Sequence, residues 1–435
     1  MKRVWRILVG VVGVSMLVAA CAPPGAPGSG GGGAASGSKP SGPIKIGFLA
    51  PTTGNAAASG QDMINGWTLF WKQNNNKAAG RDVQWTHEDT ASDPTVALNK
   101  ARQFVEQQQV DILVGTLLAD EGLAVADYVK TTGTPTFYPS SSADDLTQRA
   151  RVPNVVRAGG WASSQPHHPF GEWAYDQGYR KIMAICVDYA FGQEVCGGFL
   201  RTFAGERGGE LVKQLWDPRN TPDFSSYLAQ VPGSGADAVF AIQVGADAPR
   251  FIKQWNDFGL TGKVPLLGGE VLFDQSLLRS MGPEAENMIS AGHWAEGRPD
   301  KVTQDFVDAY DNEYHQLPSY YAAANYSAAV WITRALEKTN GDASNKQAFL
   351  DAVKNTEVDV PLGHMKLDAY GEPDETTYVR KVQRRPDGRL WNVPIQTFEG
   401  VSQFWKFGPD KFLKQPVYSR DFQGLPDQLR SLGIQ

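Results

Sequence analysis

Ile44-Lys45-Ile46-Gly47-Phe48-Leu49-Ala50-Pro51-Thr52-Thr53-Gly54 is the stretch on which the fold turns. Ile44 to Ala50 is apolar apart from Lys45 and ends at a Pro-Thr-Thr-Gly turn, the profile of a short strand buried on both faces. A helix pattern follows from about Gln61, with Met63, Ile64, Trp67, Phe70 and Trp71 on one face. A strand buried on both sides and then a helix is the unit of a parallel sheet, so the same rhythm should recur.

It recurs twice over. Val83 to Glu88 reads as a strand, and Asp93-Pro94 supplies an N-cap and a first-turn proline to a helix that turns Ala97, Ala101, Phe104 and Val105 inward. Val110 to Gly115 and Thr134 to Pro139 continue the series, with a helix carrying Leu123, Ala126 and Val129 between them. Ala158 to Gly171 is glycine-rich and reads as irregular. Strands then return at Ile182 to Val187, Leu211 to Trp216, Ala238 to Val244 and Val264 to Gly268. The helices between them carry Val195, Phe199 and Phe203, then Phe251, Ile252, Trp255 and Phe258. Two βα series predict two lobes, each a parallel sheet covered on both faces. Beyond Trp294 come helices over about Val302 to His315, Tyr320 to Thr339 and Lys346 to Asn355, then a hairpin turning at Pro386-Asp387-Gly388. The tail from residue 399 onward, rich in proline from Gly408, is expected to lie irregularly on the surface.

The front of the chain differs in kind. Met1 to Arg6 is basic, and Ile7 to Val18 is an apolar run of about a dozen residues, too short to span a bilayer and right for a cleaved leader. Leu17-Val18-Ala19-Ala20-Cys21 resembles a bacterial lipobox, which makes residues 1–20 a signal peptide and Cys21 the expected lipidation site. Ala22 to Pro43 holds only Ala, Gly, Pro and Ser apart from Lys39, so residues 21–43 are expected to be a lipid-anchored flexible linker reaching roughly 25 Å on average.

With 41 Lys plus Arg against 47 Asp plus Glu and no long basic run, the chain is a poor match for nucleic acid. Gly-x-Ser-x-Gly, His-Glu-x-x-His and the Walker loop are absent from the sequence, which gives an enzyme reading no constellation to rest on. No metal site or cofactor is expected, because the six histidines are scattered and the adjacent His167 and His168 would diverge in extended chain. Setting Cys21 aside leaves Cys186, late in a strand, and Cys196, in the first turn of the next helix. They are either a disulfide or two buried thiols.

Taken in order, Ile44 to Gly54, Glu88-Asp89-Thr90 to Asp93-Pro94, Val114-Gly115, Pro139-Ser140-Ser141-Ser142, Asp188-Tyr189-Ala190-Phe191-Gly192 and Leu267-Gly268-Gly269-Glu270 resemble the periplasmic leucine/isoleucine/valine-binding protein family over roughly residues 44 to 398. These are the receptors of branched-chain amino-acid ABC transporters. The resemblance implies a type I periplasmic binding protein: two Rossmann-like lobes joined by a three-crossover hinge, with the ligand between them. Lobe 1 would be 44–160 plus 295–376, lobe 2 161–294 plus 377–398, and 399–435 a tail packed on the surface. It also implies a monomer, held to the cell membrane outside the cytoplasm by its N-terminal lipid alone, that delivers a small molecule to permease subunits. A sensory protein presenting its solute to a membrane signalling partner is the alternative.

The site residues follow from the same resemblance. Ser140, Ser141 and Ser142 align with the loop that holds a ligand carboxylate, although such a serine run also caps helices. A second carboxylate position aligns with Ala119 and Asp120, where the usual serine is missing. Glu270 falls where an ammonium-binding glutamate is expected. Phe191 takes the place of the flanking aromatic, and Val244 lies near a family tyrosine. Trp161 is either a cleft wall or a hinge plug. Loss of polar contacts at these positions implies a ligand more hydrophobic than a branched-chain amino acid, such as an aromatic or amide compound.

Overall fold

The computed structural model describes residues 41–434. The leader, Cys21 and most of the linker lie outside the described residues.

The first series is β1 (Ile44–Ala50), α1 (Ala57–Gln73), β2 (Lys77–Ala78), β3 (Arg81–Asp89), α2 (Pro94–Arg102), β4 (Ile112–Val114), α3 (Ala119–Thr132), β5 (Thr136–Phe137) and β6 (Val155–Val156). These strands form one sheet in the order β2-β3-β1-β4-β5-β6, parallel except at β2. The second series is α4 (His167–Asp176), β7 (Lys181–Val187), α5 (Ala190–Leu200), β8 (Glu210–Asp217), α6 (Ser225–Leu228), β9 (Ala238–Ile242), α7 (Asp247–Asp257), β10 (Leu266–Gly268), α8 (Gln275–Leu278) and β11 (Ile289–Gly292). Then come α9 (Lys301–Tyr314), α10 (Tyr320–Lys338), α11 (Lys346–Lys354), the small hairpin β12 (Glu357–Val360) and β13 (Gly363–Lys366), the long hairpin β14 (Glu375–Arg384) and β15 (Leu390–Val401), and α12 (Pro409–Phe412) and α13 (Pro426–Ser431). The second sheet runs β15-β14-β11-β10-β9-β7-β8, and the long hairpin is its antiparallel edge. The fold is thus a pair of parallel-dominated α/β lobes.

Local chemistry accounts for the elements. Asp93 caps α2 by accepting from the Thr95 and Val96 N–H groups at 2.8 and 2.9 Å, and Pro94 is its first residue. The tryptophans of α1 are core: Trp67 stacks on Phe48 at 5.0 Å and meets Trp71 edge-on at 5.6 Å. Gly66 lets α10 come close, since a Cβ there would run into the Ala322 carbonyl. Three details depart from the sequence reading. His167 and His168 open α4 instead of lying in extended chain, because the irregular stretch ends at Pro166. β15 runs to Val401, past the 398 boundary, because its ladder with β14 is kept through to Glu375. The tail is folded, with α12, α13 and its own buried cluster of Phe404, Phe412, Tyr418, Phe422 and Leu429.

The chain crosses between the sheets three times, at residues 157–166, 293–300 and 367–374. Two wholly buried arginines pin these crossings. Arg157, in the first, donates to the Trp161 carbonyl at 2.8 Å and stands 3.1 Å from Glu372 Oε2 in the third. Arg380, in β14, donates to the Trp294 carbonyl of the second at 2.7 Å and to the Glu270 carbonyl at 2.6 Å. A charge so buried must stay paired, and removing one partner typically costs about 3–5 kcal/mol.

Arg157 is outnumbered by the acids near it. Burial pushes the Glu372 carboxyl up to about 8 against the pull of Arg157, and burial also holds Glu375 well above the usual carboxylate range. A pKa raised on folding contributes stability that is complete below the unfolded value and is lost as pH rises through the folded one. Between pH 4.5 and about 8, the wild type should therefore lose unfolding free energy more steeply than Glu372→Gln in denaturant titrations. Parallel curves would show that Glu372 is ionised throughout.

Candidate functional site

The C-terminal ends of the strands in both sheets face one cleft, as expected where open parallel sheets bind ligands. β4 leads into Leu117, Leu118 and Ala119, β5 into Ser140 and Ser142, and β7 into Tyr189 and Phe191. β9 leads into Val244 and Gly245, and β10 into Val271. Ala56 and Ser59 of α1 and Tyr320 and Tyr321 of α10 complete a closed cavity with a free volume of about 20 Å³. That is room for about one water molecule, so a solute of ligand size enters only when the walls move apart.

No side chain lining this cavity is charged at neutral pH among the described residues. Burial raises the Tyr189 and Tyr320 hydroxyls well above their ordinary value, so both stay neutral donors. Its donors come largely from the backbone. α1, α3, α5, α7 and α10 all begin at or beside lining residues, so five helix N-termini open onto one small space. A helix N-terminus carries about half a positive charge, but α7 spends its first N–H groups on the Val244 and Gly245 carbonyls, and acids stand at α3 (Asp120, Glu121), α7 (Asp247) and α10 (Asp274). The serines add directed donors. Ser140 Oγ accepts from Asn325 Nδ2 at 3.0 Å and Ser142 Oγ accepts from Ser163 Oγ at 3.0 Å, which leaves each its own O–H to give.

Ala119, Ser140, Ser142, Phe191 and Val244 are brought together as lining residues. Four other expected positions are not. Ser141 turns away, its hydroxyl donating to the Leu118 carbonyl at 3.1 Å. Asp120 reaches across the cleft mouth to Arg219, 2.7 Å away, and Arg219 lies over the Tyr189 ring at 4.8 Å. Its charge is spent on the opposite lobe and does not confront the cavity. Trp161 lies under the walls, stacked on His293 at 5.2 Å and edge-on to Phe191 and Tyr320, which makes it a hinge plug.

Glu270 is the largest correction. It does not line the cavity: its carboxylate accepts from the His293 N–H at 3.0 Å and meets His293 Nδ1 at 2.8 Å, with Arg380 Nη1 at 3.8 Å. Burial opposes its charge, yet His293 and Arg380 outweigh burial and hold its pKa below the usual value. His167 completes the network. Its Nδ1 donates to the Ser163 carbonyl at 2.7 Å and its Nε2 accepts the Glu270 N–H at 3.2 Å, and burial brings its pKa down to about 4, so it is neutral. A carboxylate buried and engaged in this way does not reach a ligand ammonium in the cavity.

Sequence reasoning missed Tyr189, Tyr320 and Tyr321. The signal was present in Tyr189 directly before the first residue of α5 and in the Tyr-Tyr pair just after the Ser319 cap of α10. These tyrosines restore hydroxyls that the alignment appeared to have lost.

Residues 43–389 match the family model described as periplasmic binding protein. The chain belongs to the periplasmic binding protein family. Among its relatives is the Leu/Ile/Val-binding protein homolog 6 of Brucella melitensis, 26% identical over 364 residues, 82% of this chain and 92% of that protein. An ABC transporter substrate-binding protein from Sphaerobacter thermophilus superposes with a TM-score of 0.77 at 31% identity, over 83% of this chain and 99% of its own. A solute-binding protein of an ABC transporter from Rhodopseudomonas palustris, solved with 3,4-dihydroxybenzoic acid, gives 0.79 at 26% identity over 83% and 98%. This periplasmic binding protein is a solute-binding protein of the ABC transporter class and not an enzyme. No helix among its described residues is long and apolar enough to cross a membrane.

Cys186 and Cys196 form a disulfide that ties the end of β7 to α5, with Cα atoms 6.6 Å apart. It closes a short loop around Tyr189 and Phe191, for which the chain-entropy relation gives about 3 kcal/mol. Cys196→Ser should lower unfolding free energy by about that amount, and reductant should do the same to the wild type but not to the variant. Indifference of the wild type to reductant would show free thiols.

Proposed function

We propose that this protein captures a small aromatic carboxylate between its lobes, outside the cytoplasm, and delivers it to the permease of an ABC importer. The observation that carries the reading is a cavity without a charged side chain, walled by Tyr189, Phe191, Tyr320 and Tyr321, onto which five helix N-termini converge. A carboxylate is drawn to such N-termini, and the Ser140 and Ser142 hydroxyls with the Ala119 N–H can satisfy its oxygens. The aromatic walls suit a ring, and the tyrosine hydroxyls suit ring substituents. An α-amino acid is disfavoured, because no carboxylate lines the cavity to meet its ammonium and Glu270 is already engaged. The Rhodopseudomonas relative solved with 3,4-dihydroxybenzoic acid supports the same ligand class.

The moving bodies are 44–160 with 295–376, and 161–294 with 377–401. Ligand binding shifts their equilibrium toward the closed form, in which Asp120 and Arg219 meet across the mouth. Asn55 Oδ1, which accepts the Ala246 N–H at 2.6 Å, is a second latch. The protein acts as a monomer held by lipid on Cys21.

Thermal unfolding with benzoate, 4-hydroxybenzoate and leucine tests the ligand class. The aromatic acids should stabilise by about 2.7 kcal/mol at a hundredfold excess over Kd, and Ser142→Ala should weaken binding about tenfold. Stabilisation by leucine alone would overturn the reading. Cys21→Ser should release the protein from the membrane fraction in cells, and retention of the variant there would exclude the lipid anchor.

A further inference from the structure

The family model ends at residue 389, and the Sphaerobacter protein is covered over 99% of its length by only 83% of this chain. The folded tail lies outside the family match. It has its own apolar cluster, with Phe404, Phe412 and Tyr418 each under 5% exposed, so it is a built element.

Its polar contacts reach both lobes and two of the three crossings. On the first lobe, Arg149 donates to the Gln415 carbonyl at 2.7 Å and to the Phe412 carbonyl at 3.0 Å, with its guanidinium 5.1 Å from the centre of the Phe412 ring. On the second, Arg201 donates to Gln415 Oε1 at 3.0 Å, and the Tyr418 hydroxyl meets His168 Nε2 at 3.0 Å. Gln415 is therefore gripped from both lobes at once, by its main chain and by its side chain. Gln403 sits where the tail leaves β15. It accepts from Thr147 Oγ1 at 3.0 Å and donates to Asp368 Oδ2 of the third crossing at 2.8 Å. Gln165 of the first crossing donates to the Pro373 carbonyl at 2.9 Å and the Val401 carbonyl at 2.7 Å, which joins both crossings to the root of the tail.

Opening rotates the lobes about these crossings, so a packed segment bonded to both lobes beside the axis resists the rotation. Arg149 also stands on the loop that leads from Ser140 and Ser142, so its anchorage reaches the cavity donors. We infer that residues 402–434 are a hinge splint: they stiffen the crossings and bias the lobes toward closure, with Arg149, Gln403 and Gln415 as its positioning residues. The splint acts on the ligand-free protein and does not depend on which solute is bound.

Hydrogen exchange of the ligand-free full-length protein, read at residues 157–166 and 367–374, tests it. Arg149→Met and the milder Gln403→Ala should each speed exchange at both crossings about tenfold while thermal unfolding stays cooperative. Arg430→Ala, which removes an exposed pair with Asp427 inside the tail, should leave the crossings unchanged. Faster exchange confined to the tail in Gln403→Ala, with the crossings as in wild type, would reduce the segment to a surface layer and overturn the splint. Equal acceleration by Arg430→Ala would overturn it too, because the effect would then be general loosening.

Discussion

Arg157 and Arg380 are charged groups that water does not reach, and the need to keep them paired organises the molecule. Arg157 donates to the Trp161 carbonyl of its own crossing and stands against Glu372 of the third, and Arg380, from β14, donates to the Trp294 carbonyl of the second crossing and to the Glu270 carbonyl after β10. Satisfying two charges therefore positions three separate lengths of chain. Trp161 fills the space between them and stacks on His293, whose ring holds the Glu270 carboxylate. The hinge and the floor of the cleft are one network.

This has a direct effect on recognition. A carboxylate that elsewhere in the cleft could meet an ammonium is here the structural counterion of His293 and Arg380, so the cavity is left with hydroxyls, rings and helix N-termini. Backbone donors have no side chain to protonate or repack, and in a small enclosed cavity their bonds to a ligand are little screened. The bridge between Asp120 and Arg219 works differently. About a quarter exposed on each side, it is screened by water and contributes little stability, and its use is to register the two lobes at the mouth.

Much of the scaffold was legible in the sequence because local signals there agree with the tertiary outcome. The Asp93-Pro94 cap, the Met63, Trp67 and Trp71 face and the Pro386-Asp387-Gly388 turn all depend on neighbours within a few residues. The short strand β11 was missed because Ile289–Gly292 has only four residues and ends in glycine. α4 was missed because its N-cap is Pro166, which makes no side-chain capping bond. Of the aligned positions, Ala119, Ser140, Ser142, Phe191 and Val244 reach the cavity because they follow strand ends, and strand ends point at the cleft.

The sequence by itself determined two α/β lobes, the order of their strands along the chain and the loops that meet between them, since hydrophobic period and turn chemistry act over short range. Only the tertiary structure decided that Glu270 is a counterion, that Tyr320 and Tyr321 from a distant helix form a wall, and that the tail grips both lobes. Each of those roles depends on a partner more than twenty residues away, and no local pattern records which buried charge or ring a side chain will meet.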